Sequence, residues 1–182
     1  KISALKKDFY FGGEVFVDTN QYVSSDLLNG VLNYKVIQPA IKVIVNKDAR
    51  NKLKFLEYKD EIVKKNIQIP EYFLYGNINT AGTQDTDRLF SMTINPEREF
   101  DRGNKYFDNY KNIRPDIYSN DAVNNVKILT AIQFLSKGTP EIYYGDEIGM
   151  WGCDDPFNRK PMIWDDIKDY AKETDGLAKY KD

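Results

Sequence analysis

Along this chain, short apolar runs alternate with longer stretches in which apolar residues recur at helical spacing among charged ones. Helical spacing predicts a helical stretch over residues 39–66 and a second helix over residues 120–137. Asn120 or Asp121 is the predicted N-cap of the second helix. Its predicted inward face consists of Val123, Val126, Leu129 and Ile132. The apolar runs predict strands at residues 9–13, 28–34, 72–78 and 141–144.

The remaining segments are less regular. Residues 2–5 have the pattern of the end of an amphipathic helix, whereas residues 91–120 are polar, aromatic and interrupted by prolines. From residue 165 onward the chain is highly charged and is predicted to be helical or loose.

This alternation of strands and helices predicts parallel βα units and an α/β fold class. Four such units are too few to close an eight-stranded barrel, which takes about 250 residues. The chain therefore looks like the second half of a (β/α)8 TIM barrel. We expect residues 1–166 to form this partial barrel, and residues 167–182 to form a charged tail that is the last barrel helix or a linker.

Composition excludes several classes of function. The net charge of −2, with Lys and Arg scattered, argues against nucleic acid and anionic membranes as partners. No apolar run approaches the ~20 residues of a membrane-spanning helix. The chain has no histidine, which excludes histidine-based triads and histidine-ligated zinc within it. Its single cysteine, Cys153, rules out an internal disulfide and leaves the compartment undecided.

Glu14 directly follows the predicted strand 9–13. At the end of a barrel strand, a carboxyl group faces the active-site mouth, and apolar surroundings there can raise its pKa as a general acid requires. Considered alone, this glutamate is more often part of a surface salt bridge.

Asp85 lies beside Gln84 in a loop rich in Thr and Asn that follows the third predicted strand. An aspartate in such a loop commonly caps the helix that follows, here with Arg88 as an ion-pair partner. A role at the mouth of a barrel is the alternative interpretation.

Residues 138–164 combine acidic residues, an arginine and aromatic rings in a polar loop after the last predicted strand. Sugars need bidentate hydrogen-bonding groups and flat apolar faces, so this composition suits a sugar-binding rim. Within it, Asp155 and Arg159 can pair with each other and hold the loop together, and an arginine paired in this way can still present its other donors to a sugar. Asn33 and Tyr34 end the second predicted strand, where they line the same mouth or serve only as a strand end.

Four segments resemble, in order, the fifth to eighth barrel strands of the α-amylase family of glycoside hydrolases. They are Gly-Glu-Val-Phe at 13–16, Val-Leu-Asn-Tyr at 31–34, Thr-Gln-Asp-Thr-Asp-Arg at 83–88, and the block at 138–164. The Asp-Pro-x-x-Arg pattern of the last block looks like the neopullulanase and cyclomaltodextrinase branch. The resemblance covers about residues 9–166.

The resemblance implies a retaining glycosidase that acts on α-1,4-linked glucans such as starch, pullulan or cyclodextrins. Glu14 would be its acid/base and Asp85 the carboxylate that stabilises the transition state. Asp155 and Arg159 would hold glucose units on the non-reducing side of the cleaved bond. Other substrate-binding positions would be Gln84, Asn33 and Tyr34. No cofactor or metal is predicted for these residues, although a calcium site upstream of them stays open.

The chain departs from the family pattern in two respects. Gln84 stands where the family has histidine, and an amide can donate a hydrogen bond but cannot carry a charge. The family's nucleophilic aspartate belongs to the fourth strand, upstream of Lys1. We therefore expect a fragment of a hydrolase that is inactive in isolation and that partners the missing N-terminal barrel half or another copy of itself. The alternatives are a non-catalytic carbohydrate-binding module and an unrelated α/β protein.

Overall fold

The structure is a computed structural model that describes residues 6, 8–15, 22, 27–45, 54–67, 69–94, 119–152 and 156–164. Its strands are β1 (Gly12–Gly13), β2 (Gly30–Asn33), β3 (Ile78–Thr80) and β4 (Thr139–Glu141). Its helices are α1 (Ile37–Ile44), α2 (Phe55–Asn66), α3 (Glu71–Gly76), α4 (Leu89–Ile94) and α5 (Asn120–Leu135). Two short 3-10 turns follow, at Asp146–Ile148 and Phe157–Arg159.

The strands form one parallel sheet in the order β1-β2-β3-β4. Gly12 pairs with Gly30, Leu32 with Ile78, and Asn79 with Pro140. Each strand is joined to the next by a crossover, as parallel pairing requires. The predicted α/β class with parallel units is confirmed, and the carboxyl ends of all four strands lie along the same edge.

The core lies where α1, α4 and α5 pack together beside the sheet. Its larger cluster is centred on Ile37 and Leu129, which are fully buried, and a second cluster joins Phe90 of α4 to Met150 and Trp151. The predicted inward face of α5 is confirmed, since Leu129 is buried and Val123, Val126 and Ile132 pack against these clusters.

The predicted strand at 72–78 is wrong. A helix, α3, occupies Glu71–Gly76, and the strand is confined to Ile78–Thr80. Pro70 starts this helix, because its carbonyl accepts hydrogen bonds from the amides of Phe73 and Leu74. Phe73 is the fully buried residue of this aromatic run, while Tyr72 and Tyr75 are exposed. A buried strand would need side chains buried on both of its faces, and this run does not have them.

The predicted strand at 141–144 is also displaced, since β4 is Thr139–Glu141 and ends before the tyrosines. The left-handed backbone of Gly145 (φ 87°) then leads into the first 3-10 turn. The helix Leu89–Ile94 extends into the stretch 91–120 that was predicted as irregular, and residues 95–118 lie outside the described residues. The first two strands are shorter than predicted.

The helical predictions need smaller corrections. In the stretch predicted as helical, 39–66, the structure describes α1, which begins at Ile37, and α2, while residues 46–53 lie outside the described residues. The cap of α5 is Ser119, whose Oγ accepts from the amide of Ala122 at 3.1 Å, and not Asn120 or Asp121. This helix ends at Leu135, two residues before the predicted end at Lys137. The predicted helix end at 2–5 and the charged tail 167–182 lie outside the described residues.

Candidate functional site

Polar side chains collect at the edge where the parallel strands end. Glu14 follows β1 directly, Tyr34 follows β2, and the loop 81–88 follows β3. The second 3-10 turn, Phe157–Arg159, lies against the loop after β3. In parallel α/β folds ligands bind at this edge, which makes the cluster the candidate site.

Tyr34 connects Glu14 to the loop after β3. Its hydroxyl donates to Oε1 of Glu14 at 3.1 Å, and it lies 3.3 Å from the hydroxyl of Thr83. Burial raises the pKa of Tyr34 well above its ordinary value, and the negative charge of Glu14 raises it further. The phenol therefore stays protonated, and it can donate to the Glu14 carboxylate at any physiological pH.

Glu14 itself is exposed among the described residues, so the apolar surroundings expected for it are not found there. A second carboxyl group, that of Glu141 at the end of β4, lies close enough to respond to its charge. Partial burial raises the pKa of Glu141, a hydrogen bond from Thr80 opposes this rise, and the charge of Glu14 adds to it. The sequence analysis did not identify Glu141, although its position at a strand end is a readable signal.

Asp85 pairs with Arg159, which is 74 residues away along the chain. Nη2 of Arg159 lies 2.9 Å from Oδ1 of Asp85, while the side-chain amide of Gln84 donates to Oδ2 at 2.9 Å. Nε of Arg159 also donates to the backbone carbonyl of Gln84 at 3.0 Å. Gln84, Asp85 and Arg159 thus form one contiguous polar surface.

The predicted pairing of Asp85 with Arg88 is wrong. Arg88 is completely buried and pairs with Asp146, with Nη1 3.2 Å from Oδ1. The capping role for Asp85 is wrong as well, because α4 begins only at Leu89 and the carboxylate contacts Arg159. Arg88 turns inward because the rings of Tyr143 and Tyr144 stack against its guanidinium, 4.4 and 4.7 Å from their centroids.

The Arg88–Asp146 pair is an electrostatic feature that the sequence analysis missed. Burial raises the pKa of Asp146 to about 7, and this desolvation outweighs the attraction of Arg88. The Tyr-Tyr-Gly-Asp-Glu run at 143–147 was noted only for its composition. A pairing between residues 58 apart has no signature in local spacing.

One of the predicted binding residues, Asn33, contacts a neighbouring strand of the sheet. Asn33 lies in β2, and its side-chain amide donates to Oδ1 of Asn79 at 2.9 Å, within the sheet. Asp155 lies outside the described residues. The structure therefore brings together Glu14, Tyr34, Gln84, Asp85 and Arg159 of the predicted set.

Within the part of the chain that the structure describes, no cluster of three or more His, Cys, Asp or Glu side chains could hold a metal ion. None of the described helices is both long enough and apolar enough to cross a membrane.

A family model for the catalytic domain of alpha-amylase matches residues 1–180. The chain belongs to the alpha-amylase family. Similar curated members are a cyclomaltodextrinase from Geobacillus thermopakistaniensis (strain MAS1), 29% identical over 167 residues, and neopullulanase 2 from Thermoactinomyces vulgaris, 26% identical over 165 residues. These alignments cover 92% and 91% of this chain but only 23% of each relative. This alpha-amylase family chain therefore spans less than a quarter of the length of those relatives.

The fold of this family member also matches a solved structure. The cyclic alpha-maltosyl-(1→6)-maltose hydrolase from Arthrobacter globiformis, in complex with maltose, aligns with a TM-score of 0.67 at 20% identity. The match covers 98% of this chain and 34% of that chain. The parallel α/β sheet thus aligns to part of an alpha-amylase catalytic barrel.

Proposed function

We propose that this chain supplies strands five to eight of the (β/α)8 barrel of a retaining α-glucan hydrolase. Residues 1–166 would be the partial barrel, and residues 167–182 the last barrel helix or a linker. The parallel order β1-β2-β3-β4 supports the proposal, as does the gathering of the polar residues at the carboxyl edge of the sheet.

The single observation that carries the proposal is the contact between Asp85 and Arg159 at the same edge as Glu14. In the proposed mechanism, Glu14 protonates the leaving oxygen and later activates water, since a retaining enzyme uses one carboxyl group for both steps. Asp85 accepts hydrogen bonds from hydroxyls of the sugar in the cleavage subsite and favours its distortion towards an oxocarbenium ion. Tyr34 holds the Glu14 carboxylate in place through its phenol.

The proposed substrate contacts follow from the donors that the cluster presents. Arg159 and Gln84 supply N–H groups beside a carboxylate, a combination that binds vicinal hydroxyls bidentately. Asn33 and Asp155 are retained as proposed binding positions. The proposed substrates are α-1,4-linked glucans, in line with the cyclomaltodextrinase and neopullulanase relatives.

A retaining mechanism requires a second carboxyl group about 5–5.5 Å from the first, acting as nucleophile. We assign that group to a barrel strand preceding β1. The chain alone would therefore bind a glucan without cleaving it, and the preceding strands or a second copy of the chain would cover the β1 and β4 edges of the sheet.

A non-catalytic carbohydrate-binding module is the second candidate function. It is favoured by Gln84, whose neutral amide donates to Asp85 at a position where the resemblance calls for histidine. Both candidates bind glucan through the same residues, and they differ only in catalysis.

Calorimetric titration of the full chain with maltotriose tests the proposal. Asp85→Asn removes the charge that Arg159 and the sugar hydroxyls share, so we expect its affinity to fall about tenfold, as for loss of a charge-assisted hydrogen bond. The matched control is Asp121→Asn, in the first turn of α5, which should bind as the wild type does. Equal affinities for all three proteins, or no binding by the wild type, would contradict the proposal.

The same preparation, free of contaminating amylase, should leave maltotriose intact. Cleavage by the wild-type chain that Glu14→Gln abolishes would show that the nucleophile lies within these 182 residues, against our assignment.

A further inference from the structure

Asn158 is a fully buried polar side chain next to the exposed Arg159. It lies in the second 3-10 turn, and its amide nitrogen points into the loop after β3. Its Nδ2 is 2.7 Å from the carbonyl oxygen of Gln84, 2.8 Å from that of Thr86 and 3.2 Å from that of Thr83.

This arrangement fixes which way the amide faces. All three neighbours are acceptors, so the NH₂ group must face them, and its two hydrogens are shared among three carbonyls. Among the described residues, the opposite atom, Oδ1, has no hydrogen-bond partner. Asn158 thus serves the loop as a donor, which neither an aspartate nor an apolar residue could do.

Arg88, which belongs to the loop after β3, contacts the backbone of the same turn. Its Nε donates to the backbone carbonyl of Asn158 at 2.9 Å, and its Nη1 contacts Asp146 at 3.2 Å. The side chain of Arg88, in the loop after β3, therefore binds the backbone of the turn. The side chain of Asn158, in the turn, binds the backbone of the loop. We call this reciprocal contact the Asn158–Arg88 clamp.

The clamp lies directly beneath the exposed pair of Asp85 and Arg159. The carbonyl oxygen of Gln84 accepts from both Asn158 Nδ2 and Arg159 Nε, at 2.7 and 3.0 Å. Asp85 and Arg159 are 42% and 43% exposed, and an ion pair so open to water holds its own geometry weakly. The buried clamp, with several hydrogen bonds in a dry environment, is the stronger constraint.

We propose that Asn158 is a positioning residue, which sets the spacing of Asp85 and Arg159 for glucan binding through the Asn158–Arg88 clamp. This inference rests on the proposed function for its ligand, but the geometry that it asserts exists without ligand. Asn158 need not touch the sugar.

The first test is a double-mutant cycle read by maltotriose titration. Asn158→Ser keeps one small donor and should weaken affinity about tenfold through the misplaced pair. In an Arg159→Ala background the same substitution should change affinity by less than about twofold, because the group it positions is gone. Additive losses in the two backgrounds would overturn the proposal, since a general loss of folding weakens both equally.

The second test needs no ligand. In nitrogen-15 NMR spectra of the full chain, the Arg159 Nε–H group should be protected from exchange in the wild type and lose that protection in Asn158→Ser. The control Asn124→Ser, on the exposed face of α5, should leave it unchanged. An unchanged Arg159 signal in a folded Asn158→Ser protein would contradict positioning by Asn158.

The two tests separate the possible failures. If the wild type does not bind maltotriose while the Arg159 signal depends on Asn158, the proposed function fails and the clamp stands. If Asn158→Ser does not fold, the variant Arg88→Lys is used instead, because it changes the other side chain of the clamp. That lysine cannot reproduce the forked contact with Asn158 and Asp146, so the Arg159 signal should again lose protection. Retained protection in a folded Arg88→Lys protein would overturn the proposal.

Discussion

At the scale of single residues, the charge of the buried Asp146 carboxyl depends on folding. Burial raises its pKa from 3.8 to about 7 in the folded protein, despite the nearby guanidinium of Arg88. Between these two values, the folded state holds a proton that the unfolded chain releases. The stabilisation from protonated Asp146 is therefore complete below the unfolded pKa, and it is lost as the pH rises through about 7.

Asp146→Asn should flatten this pH dependence, because an amide does not titrate. We expect the free energy of unfolding of the wild type to fall by a few kcal/mol between about pH 5 and about pH 8, and that of the variant to fall less. Urea unfolding at both pH values measures the difference, and the other titrating groups cancel because the two proteins share them. An identical fall in both proteins would show that Asp146 is ionised throughout.

Several site residues were predictable from sequence because a strand end presents them. Glu14, Tyr34 and Asp85 each follow a strand that the sequence also predicts, at least approximately. The partner of Asp85 was not predictable from its neighbours. Arg88, three residues away, was the predicted ion-pair partner. The actual partner, Arg159, lies in a turn that is distant in sequence and that packing brings close. The contacts of Asn158 were not predictable from its neighbours in sequence either, since its three acceptors are 72 to 75 residues away.

At the scale of elements, the start of β2 is packed against the end of α3 with no room for a side chain. A Cβ placed on Gly30 would overlap the backbone carbonyl oxygen of Gly76. This close approach allows the backbone amide of Val31 to donate a hydrogen bond to Oδ1 of Asn77 at 3.1 Å. Gly30 therefore determines how closely the helix before β3 approaches the sheet.

Gly30→Ala should destabilise the protein by about 1–3 kcal/mol, the usual cost of overpacking where the backbone has to move. In the control Gly12→Ala, in β1, the nearest atoms to the added Cβ belong to the Tyr10 side chain, which can shift more easily than backbone, so this change should cost less. Urea unfolding of the two variants measures the difference. A Gly30→Ala protein as stable as Gly12→Ala would mean that α3 is free to shift away from β2.

The sequence predicted an element correctly where the residues of that element determine how it packs, and incorrectly where distant residues do. The inward face of α5 follows from its own periodicity, and Leu129 is buried as expected. The tyrosines at 143 and 144 favour a strand by composition, but their rings are held by Arg88 from another element, and Gly145 turns the chain there. Likewise, the aromatic run at 72–75 is helical because Pro70 starts a helix and Phe73 alone is buried.

At the scale of the whole molecule, β1 and β4 are the outermost strands of the sheet among the described residues. Apolar side chains near these edges are exposed, including Phe11 before β1 and Ile142 after β4. In a closed barrel such positions are covered by the neighbouring strands. Together with the share of the relatives that the chain spans, this exposure supports the assignment of the chain to part of a barrel.

A crystal structure of the chain with maltose would show whether the carboxyl edge of this sheet binds α-glucan through Asp85 and Arg159, as we propose. We expect a glucose unit within hydrogen-bonding distance of both side chains, on the side of the sheet edge where Tyr34 contacts Glu14. Maltose bound elsewhere, or a well-ordered Asp85–Arg159 pair with no sugar beside it at saturating maltose, would contradict it.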